Sequence, residues 1–310
     1  MAFDGIVTKA IASELQQLSG ARVDKIFQPN SNNVIIGCYI NGKNYALNIC
    51  TNSNNYRIHL TTHPKPNPQI APNFCMVLRK HLTGLHIKNI ITANLERIIT
   101  IEFEGFDEVD DIINKKLIIE LMGKHCNIIL LNEENIIIDS LRHINNSDST
   151  HVVIPHTKYT YPSTEKLNFL NCNDFEDFKK HLLNVDTESL PWCISNTFNG
   201  ISKKFINFII SDLNIKDLKE IFYYLKQIIL DTDSLNLKFK TINNDYFLVQ
   251  NPNNNELFSL NFFIDDFYYQ KELSEDLKNY RNSMLKLILD TLKKYKKRLT
   301  LYLLYPLQKR

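Results

Sequence analysis

From Val23 to Leu141 the apolar residues come in short segments, most of them alternating and each closed by a turn. Alternation turns one face of an extended strand inward and leaves the other to solvent. Val23–Phe27, Asn33–Ile40, Lys43–Cys50 and Tyr56–Leu60 read this way. Asn41-Gly42, between the second and third, predicts a tight two-residue hairpin. Strands resume at Leu85–Ile91, Arg97–Glu104, Lys116–Met122, Cys126–Asn132 and Asn135–Leu141. Gly123-Lys124-His125 joins two of them and presents two basic side chains. So many short segments commit the chain, to about residue 165, to a β-rich domain.

Two helices interrupt the strands. Residues 3–19 carry Phe3, Ile6, Val7, Ala10, Ile11, Leu15 and Leu18 at helical spacing, with Gly20 placed to end the helix. Residues 73–84 put Phe74, Val77, Leu78 and Leu82 inward and Arg79, Lys80 and His81 on or beside the other face, before Gly84. The prolines at 64, 66, 68 and 72 make the preceding stretch a loop.

Residues 166–232 read as helical at 174–184, 203–212 and 215–230. Phe198-Asn199-Gly200-Ile201-Ser202 lies between the first two, which is the outline of a helix-hairpin-helix; a plain helical turn reads equally well. Short strands follow at 236–241, 245–250 and near 257–260. From Asp265 to about residue 304 the chain is helical. There Leu285, Ile288, Leu292, Tyr295, Leu299 and Tyr302 follow heptad spacing, the beginning of a coiled coil. The fold class expected is α+β, divided as 1–165, 166–232, a β extension at 233–264 and a helical arm at 265–310.

The net charge is +2, from 36 basic and 34 acidic residues in 310. The sum hides an uneven distribution. Residues 271–310 hold eleven basic and four acidic side chains, net +7, which leaves a body at −5. Chemistry of the common enzyme kinds is not evident: there is no phosphate-cradling Gly-x-x-x-x-Gly-Lys-Ser/Thr, no Gly-x-Ser-x-Gly and no His-Glu-x-x-His. Cys38, Cys50, Cys75, Cys126, Cys172 and Cys193 form no CxxC and read as buried thiols of a reducing compartment. His59 and His63 lie across a strand end, and the acidic Asp107, Glu108, Asp110 and Asp111 read as a solvated loop; no metal and no cofactor is expected. The N-terminus carries no secretory pattern and no segment is apolar enough to span a membrane, so the expectation is a cytoplasmic protein.

Four blocks, in order, resemble the NFACT family: Met1-Ala2-Phe3-Asp4-Gly5-Ile6-Val7, Ala71 to Gly84, Leu95-Glu96-Arg97-Ile98-Ile99, and Glu120 to Leu130 with Gly123-Lys124-His125 at its centre. Members are bacterial ribosome-associated quality-control factors related to the eukaryotic nuclear export mediator factor, and many carry the name fibronectin-binding protein A. The resemblance covers nearly the whole chain as the family's first half. It implies an NFACT-N domain similar to the N-terminal domain of formamidopyrimidine-DNA glycosylases, then a helix-hairpin-helix domain, then the first arm of a coiled coil. It also implies a partner set: the split large ribosomal subunit with its peptidyl-tRNA, and a tRNA, mainly alanyl-tRNA, positioned for template-free tailing. The alternative is an adhesin that binds fibronectin.

By the same resemblance Asp4, Glu96 and Arg97 handle tRNA. Glu96 stands where many members have Asp, which lengthens its reach by one methylene. Arg79, Lys80 and His81 on the second helix, and Lys124 and His125 on the turn, match basic positions suited to RNA, with Arg57 as a less certain companion. The glycosylases use an N-terminal proline followed by glutamate; here Ala2 and Phe3 occupy those places, so a binding factor and not an enzyme is expected.

Overall fold

The structure is a computed structural model that describes residues 3–63, 65–93, 95–106, 111–145, 151–182, 190–251 and 258–304. The chain forms two units, residues 1–265 and 266–310.

The first unit is built on one nine-stranded antiparallel sheet. Its strands are β1 (Arg22–Asn30), β2 (Asn33–Ile40), β3 (Lys43–Cys50), β4 (Arg57–Leu60), β5 (His86–Thr92), β6 (Ile98–Phe106), β7 (Ile112–Glu120), β8 (Asn127–Leu131) and β9 (Ile137–Ser140). Their order is β4-β3-β2-β1-β5-β6-β7-β8-β9, so two meanders meet where β1 pairs with β5. Backbone bonds such as Val23 N–H to the Leu85 carbonyl (2.8 Å) and Ile87 N–H to the Ala21 carbonyl (2.8 Å) close that seam. The Asn41-Gly42 hairpin forms as expected. Both residues have positive φ (50° and 77°), as a two-residue turn matched to the strand twist requires, and Ile40 pairs with Lys43.

Helix α1 (Gly5–Leu15) is buried almost throughout, with Ile6, Val7, Ala10, Ile11 and Leu15 at or below 3% exposure. It packs on β5 and, on its other side, against the helical part of the unit. Helix α2 (Asn73–Leu82) buries Phe74, Cys75, Leu78 and Leu82; in its basic last turn Lys80 is exposed and Arg79 and His81 are half-buried.

The helical part comprises α3 (Phe175–His181), α4 (Leu190–Thr197), α5 (Lys203–Ser211) and α6 (Leu218–Ser234), followed by a hairpin of β10 (Leu237–Ile242) and β11 (Asp245–Gln250). Phe169, Phe178, Phe198 and Phe222 fill its core, with ring centroids 5.2–5.7 Å apart among the contacting pairs. One expectation is corrected here. The helix before the Phe198–Ser202 turn is α4, not the one at 174–184. Its eight residues are too few to show a helical period, and Pro191 near its start masks it as a loop, although proline is tolerated in a first turn. A second correction concerns 257–260: Leu260 opens helix α7 (Leu260–Leu304) rather than closing a strand, while residues 252–257 lie outside the described residues. The acidic residues at 107, 108 and 110 lie outside them as well.

At the β3–β4 edge a polar network is sealed in. Arg57 and His59 are each 1% exposed, as is Asn48. Arg57 Nε donates to His59 Nε2 at 3.2 Å, and Asn48 Nδ2 lies 3.2 Å from the same atom. With two donors on Nε2, the ring's own proton sits on Nδ1 and points at the Leu60 carbonyl, 2.9 Å away. Burial, and then the Arg57 charge, pull the His59 pKa down to about 3. Asp265 receives the Thr61 hydroxyl (2.6 Å) and the Thr62 N–H (2.7 Å) and faces His63 Nδ1 at 3.0 Å.

In the second unit, residues 266–304 continue α7. Leu285, Ile288, Leu292, Tyr295 and Leu299, the heptad positions, are 45–63% exposed. Among the described residues no helix is long and apolar enough to cross a membrane.

Candidate nucleic-acid interface

The first helical turn of α1 is where the β and helical parts of the first unit interlock. Asp4 caps the helix, accepting the Val7 N–H at Oδ1 (3.2 Å), and its Oδ2 accepts the Ser202 hydroxyl at 2.8 Å. Ser202 in turn caps α5, receiving the Phe205 N–H at 3.2 Å. Gly5 N–H donates to the Gly200 carbonyl at 2.9 Å. The Leu95 carbonyl presses on both glycines: a Cβ on Gly5 would sit 1.9 Å from it, and one on Gly200 2.1 Å. Gly200 (φ +76°) and Leu95 (φ 61°) both adopt the left-handed backbone, which is strained for leucine. Three chain segments, 4–5, 95–97 and 199–202, are therefore in direct backbone contact.

That contact delivers the side chains. Asn199 hydrogen-bonds the Glu96 carboxylate, and burial raises the Glu96 pKa against that bond. Arg97 donates to the Tyr56 hydroxyl at 3.0 Å, with its guanidinium 6.0 Å from the centre of that ring. Burial also raises the Asp4 pKa, opposed by the Ser202 and Val7 bonds and by the Arg97 charge. Against Asp4 and Arg97 lies an open cleft of about 220 Å³, lined also by Lys166, Ser195, Asn196 and residues 199–203. Lys166 reaches in and donates to the Ser195 carbonyl at 2.6 Å; burial, and then Arg97, lower its pKa.

The other expected residues are distributed unevenly. Lys124 and His125 stand exposed on the 3₁₀ turn Gly123–His125, at the Arg97 end of the sheet: the Leu121 N–H donates to the Arg97 carbonyl at 2.8 Å. Arg79, Lys80 and His81 do not line the cleft. Arg79 Nε is bound to the Ile26 carbonyl at 2.8 Å and its guanidinium lies over Phe27. His81 lies near Lys115 and Lys80, and burial first, then those charges, depress its pKa. Lys115 is six residues back along β7 from Leu121, roughly 20 Å of extended strand. Arg57 is an interior cation. Its Nη1 donates to the Asn55 carbonyl at 2.7 Å, and at 1% exposure it presents no surface to RNA.

Sequence reasoning missed Tyr56, Lys166 and Asn199 as parts of this site. Asn199 sat inside a turn already singled out, but Lys166 and Tyr56 carry no local signal. A buried cluster beside the site was missed too. Glu120, fully buried, accepts the Tyr159 hydroxyl at 2.8 Å and faces His151 Nε2 at 2.8 Å, whose pKa its hydrogen bond raises.

Cations at the mouth of such a cleft suit phosphates, and carboxylates beside them accept from base edges. Among the described residues no group of three or more His, Cys, Asp or Glu is arranged to hold a metal ion.

A family model, NFACT N-terminal and middle domains, matches residues 4–302. Among curated proteins, the chain is 36% identical over 209 residues to the Rqc2 homolog RqcH of Bacillus subtilis, covering 66% of this chain and 36% of that one. It is 29% identical over 309 residues to the Rqc2 homolog RqcH of Streptococcus suis, covering 96% and 54%. The chain thus spans about half or less of the relatives it matches. Among solved structures it is similar to the N-terminal part of the fibronectin/fibrinogen-binding protein of Streptococcus suis, with a TM-score of 0.72 and 28% identity over 87% of this chain and 100% of that one. The fibrinogen-binding protein of Staphylococcus aureus gives 0.71 and 30%, over 86% and 99%.

Proposed function

The chain belongs to the NFACT family, and from that premise we propose that it is a ribosome quality-control factor whose first unit holds a tRNA. In this reading residues 1–165 are an NFACT-N domain of the glycosylase N-domain type, 166–232 a helix-hairpin-helix domain, 233–264 a β extension, and 265–310 the first arm of a coiled coil. The protein acts in the cytoplasm on the split large ribosomal subunit that carries a stalled peptidyl-tRNA. It positions a second tRNA, alanyl-tRNA by family resemblance, for template-free extension. Peptide transfer remains the ribosome's chemistry, so the factor binds and orients and is not itself the enzyme.

One observation carries the reading: Asp4 and Arg97, distant in sequence, line a single cleft against the Asn199–Ser202 turn, and Glu96 is bonded to Asn199 beside it. Arg97 and Lys166 supply phosphate contacts, while Asp4 and Glu96 accept hydrogen bonds that only a correctly placed base or ribose can give. Lys124 and His125 extend the surface at the same sheet end. Arg79, Lys80 and His81 form a separate basic surface for another stretch of RNA.

Filter binding of tRNA tests this. Binding that weakens steeply with salt and is lost in Glu96→Ala/Arg97→Ala supports it; no salt-sensitive binding, or none lost in that variant, overturns it. The names of the solved neighbours favour a second reading, binding of fibronectin at a cell surface. Protection of the protein from surface labelling on intact cells would count against that one.

A further inference from the structure

The sequence holds one tryptophan, Trp192. It lies on α4 beside Cys193 and Ile194, which face the interior, yet is itself 54% exposed. An indole left in solvent contributes little to a core and leaves its π-face open to a partner. Its position points to one. Ser195 and Asn196 follow by three and four residues, hence on the same helical face, and both line the cleft that holds Arg97 and Lys166. Two hydrogen bonds fix this arrangement. The Ser195 hydroxyl donates to the Trp192 carbonyl at 2.9 Å, and Lys166 Nζ donates to the Ser195 carbonyl at 2.6 Å.

We infer that Trp192 is a stacking platform at the rim of the cleft for an unpaired RNA base whose adjoining phosphates meet Lys166, Arg97 and Lys203. The inference rests on the tRNA reading and adds to it the kind of nucleotide taken: one outside a duplex, whose π-face is free. Charge decides between RNA and a protein occupant. The polar neighbours toward the cleft include three cations, which suit a phosphodiester chain, and stacking on an aromatic accepts any base.

Because Trp192 is the sole indole, its emission reports on this site alone. Titration of the whole chain with tRNA at low salt is expected to quench that emission, saturably and reversibly with added salt. A single-stranded oligonucleotide quenches likewise, and a blunt duplex of equal length does not. Trp192→Ala is expected to weaken binding about tenfold, and Trp192→Phe to keep most of it. Filter-detected tRNA binding with unchanged emission, quenching as complete by duplex as by single strand, or full affinity in Trp192→Ala each overturn the inference and leave the tRNA reading intact. No tRNA binding by either method overturns both.

Discussion

The β3–β4 edge and the cleft between α1 and the Asn199–Ser202 turn are made from the same kinds of residue: an arginine, a carboxylate, an asparagine and a neighbouring ring. At the edge every group is committed inward. Arg57 and Asn48 both point at His59 Nε2, Asp265 is held by threonines, and exposures run from 1% to 4%. At the cleft, Glu96 and Arg97 are half-buried; Arg97 lines the open volume beside Lys166, and Glu96 adjoins it through its bond to Asn199. The difference lies in what burial does to an ion. A sealed cation has its bonding satisfied within the protein and stabilises a corner; a half-sealed one is oriented by the protein and left short of partners, which is the condition for binding something else.

The variant expected to break this contrast most sharply is Arg57→Ala. It strips the bonds to His59 and Asn55 from a sealed network and leaves a cavity where a fully buried side chain stood, at a cost of about 3–5 kcal/mol. Arg97→Ala, by contrast, should leave stability within about 1 kcal/mol while abolishing tRNA binding. Urea unfolding and filter binding of the two proteins give the comparison directly; equal stability losses would erase it. Gly200→Ala comes next. The new Cβ meets the Leu95 carbonyl at 2.1 Å, in a backbone with φ +76°, so both overpacking and left-handed strain apply, about 2–4 kcal/mol together. Gly42→Ala is its control: the same left-handed backbone with nothing within 4 Å, and a loss of about 1 kcal/mol. Gly200→Ala should also weaken tRNA binding, since it parts the Asn199–Ser202 turn from α1, and Gly42→Ala should not.

Acid titration tests the sealed side. His59 has its pKa depressed from 6.5 to about 3 in the folded protein. Between those values the unfolded chain takes up a proton that the native ring refuses. Stability is therefore full above pH 6.5 and falls as pH drops toward 3, with a slope of about 1.4 kcal/mol per pH unit from this group. Asp265 adds to the acid loss at lower pH. Burial raises its pKa, but the Thr61 and Thr62 bonds and His59 hold it below the ordinary carboxylate value. His59→Asn is expected to flatten the slope above pH 4, read by Tm against pH; an unchanged slope would show that the edge is not sealed.

The strands of the large sheet were legible because alternation is a local signal, and Asn41-Gly42 fixed its hairpin through two residues that tolerate positive φ. α1 was legible for the same reason, its apolar residues recurring at helical spacing. The pairing of β1 with β5, which joins the two meanders, leaves no mark in either segment. Nor does the fate of Arg57 and Arg97. Both stand at strand starts with an aromatic or acidic neighbour, and only the tertiary fold seals one and opens the other. Lys166 enters the cleft because Leu167 pairs with the α4–α5 turn, its N–H bonded to the Thr197 carbonyl at 2.8 Å, a contact of long sequence separation that no window contains. Resemblance grouped Asp4, Glu96 and Arg97; in the fold Asp4 and Arg97 line one cleft, and Glu96 bonds Asn199 beside it.

The smallest expected effect separates the two regions most cleanly. Asp4 is a helix cap, and an ordinary cap lost to alanine costs about 1 kcal/mol. Yet burial raises its folded pKa above 3.8, so the ionised form is disfavoured in the folded state. The sign follows: as pH rises from 3.8 through the folded pKa, the unfolded chain ionises first and the native state loses stability relative to it. Asn caps a helix about as well as Asp and carries no charge to bury. Asp4→Asn should then change stability by less than about 1 kcal/mol, in either direction, while tRNA binding weakens because the carboxylate facing the cleft is gone. A loss of more than about 2 kcal/mol in urea unfolding, with tRNA affinity unchanged, would move Asp4 to the sealed class with Arg57, since losses of that size come from broken buried networks and not from caps.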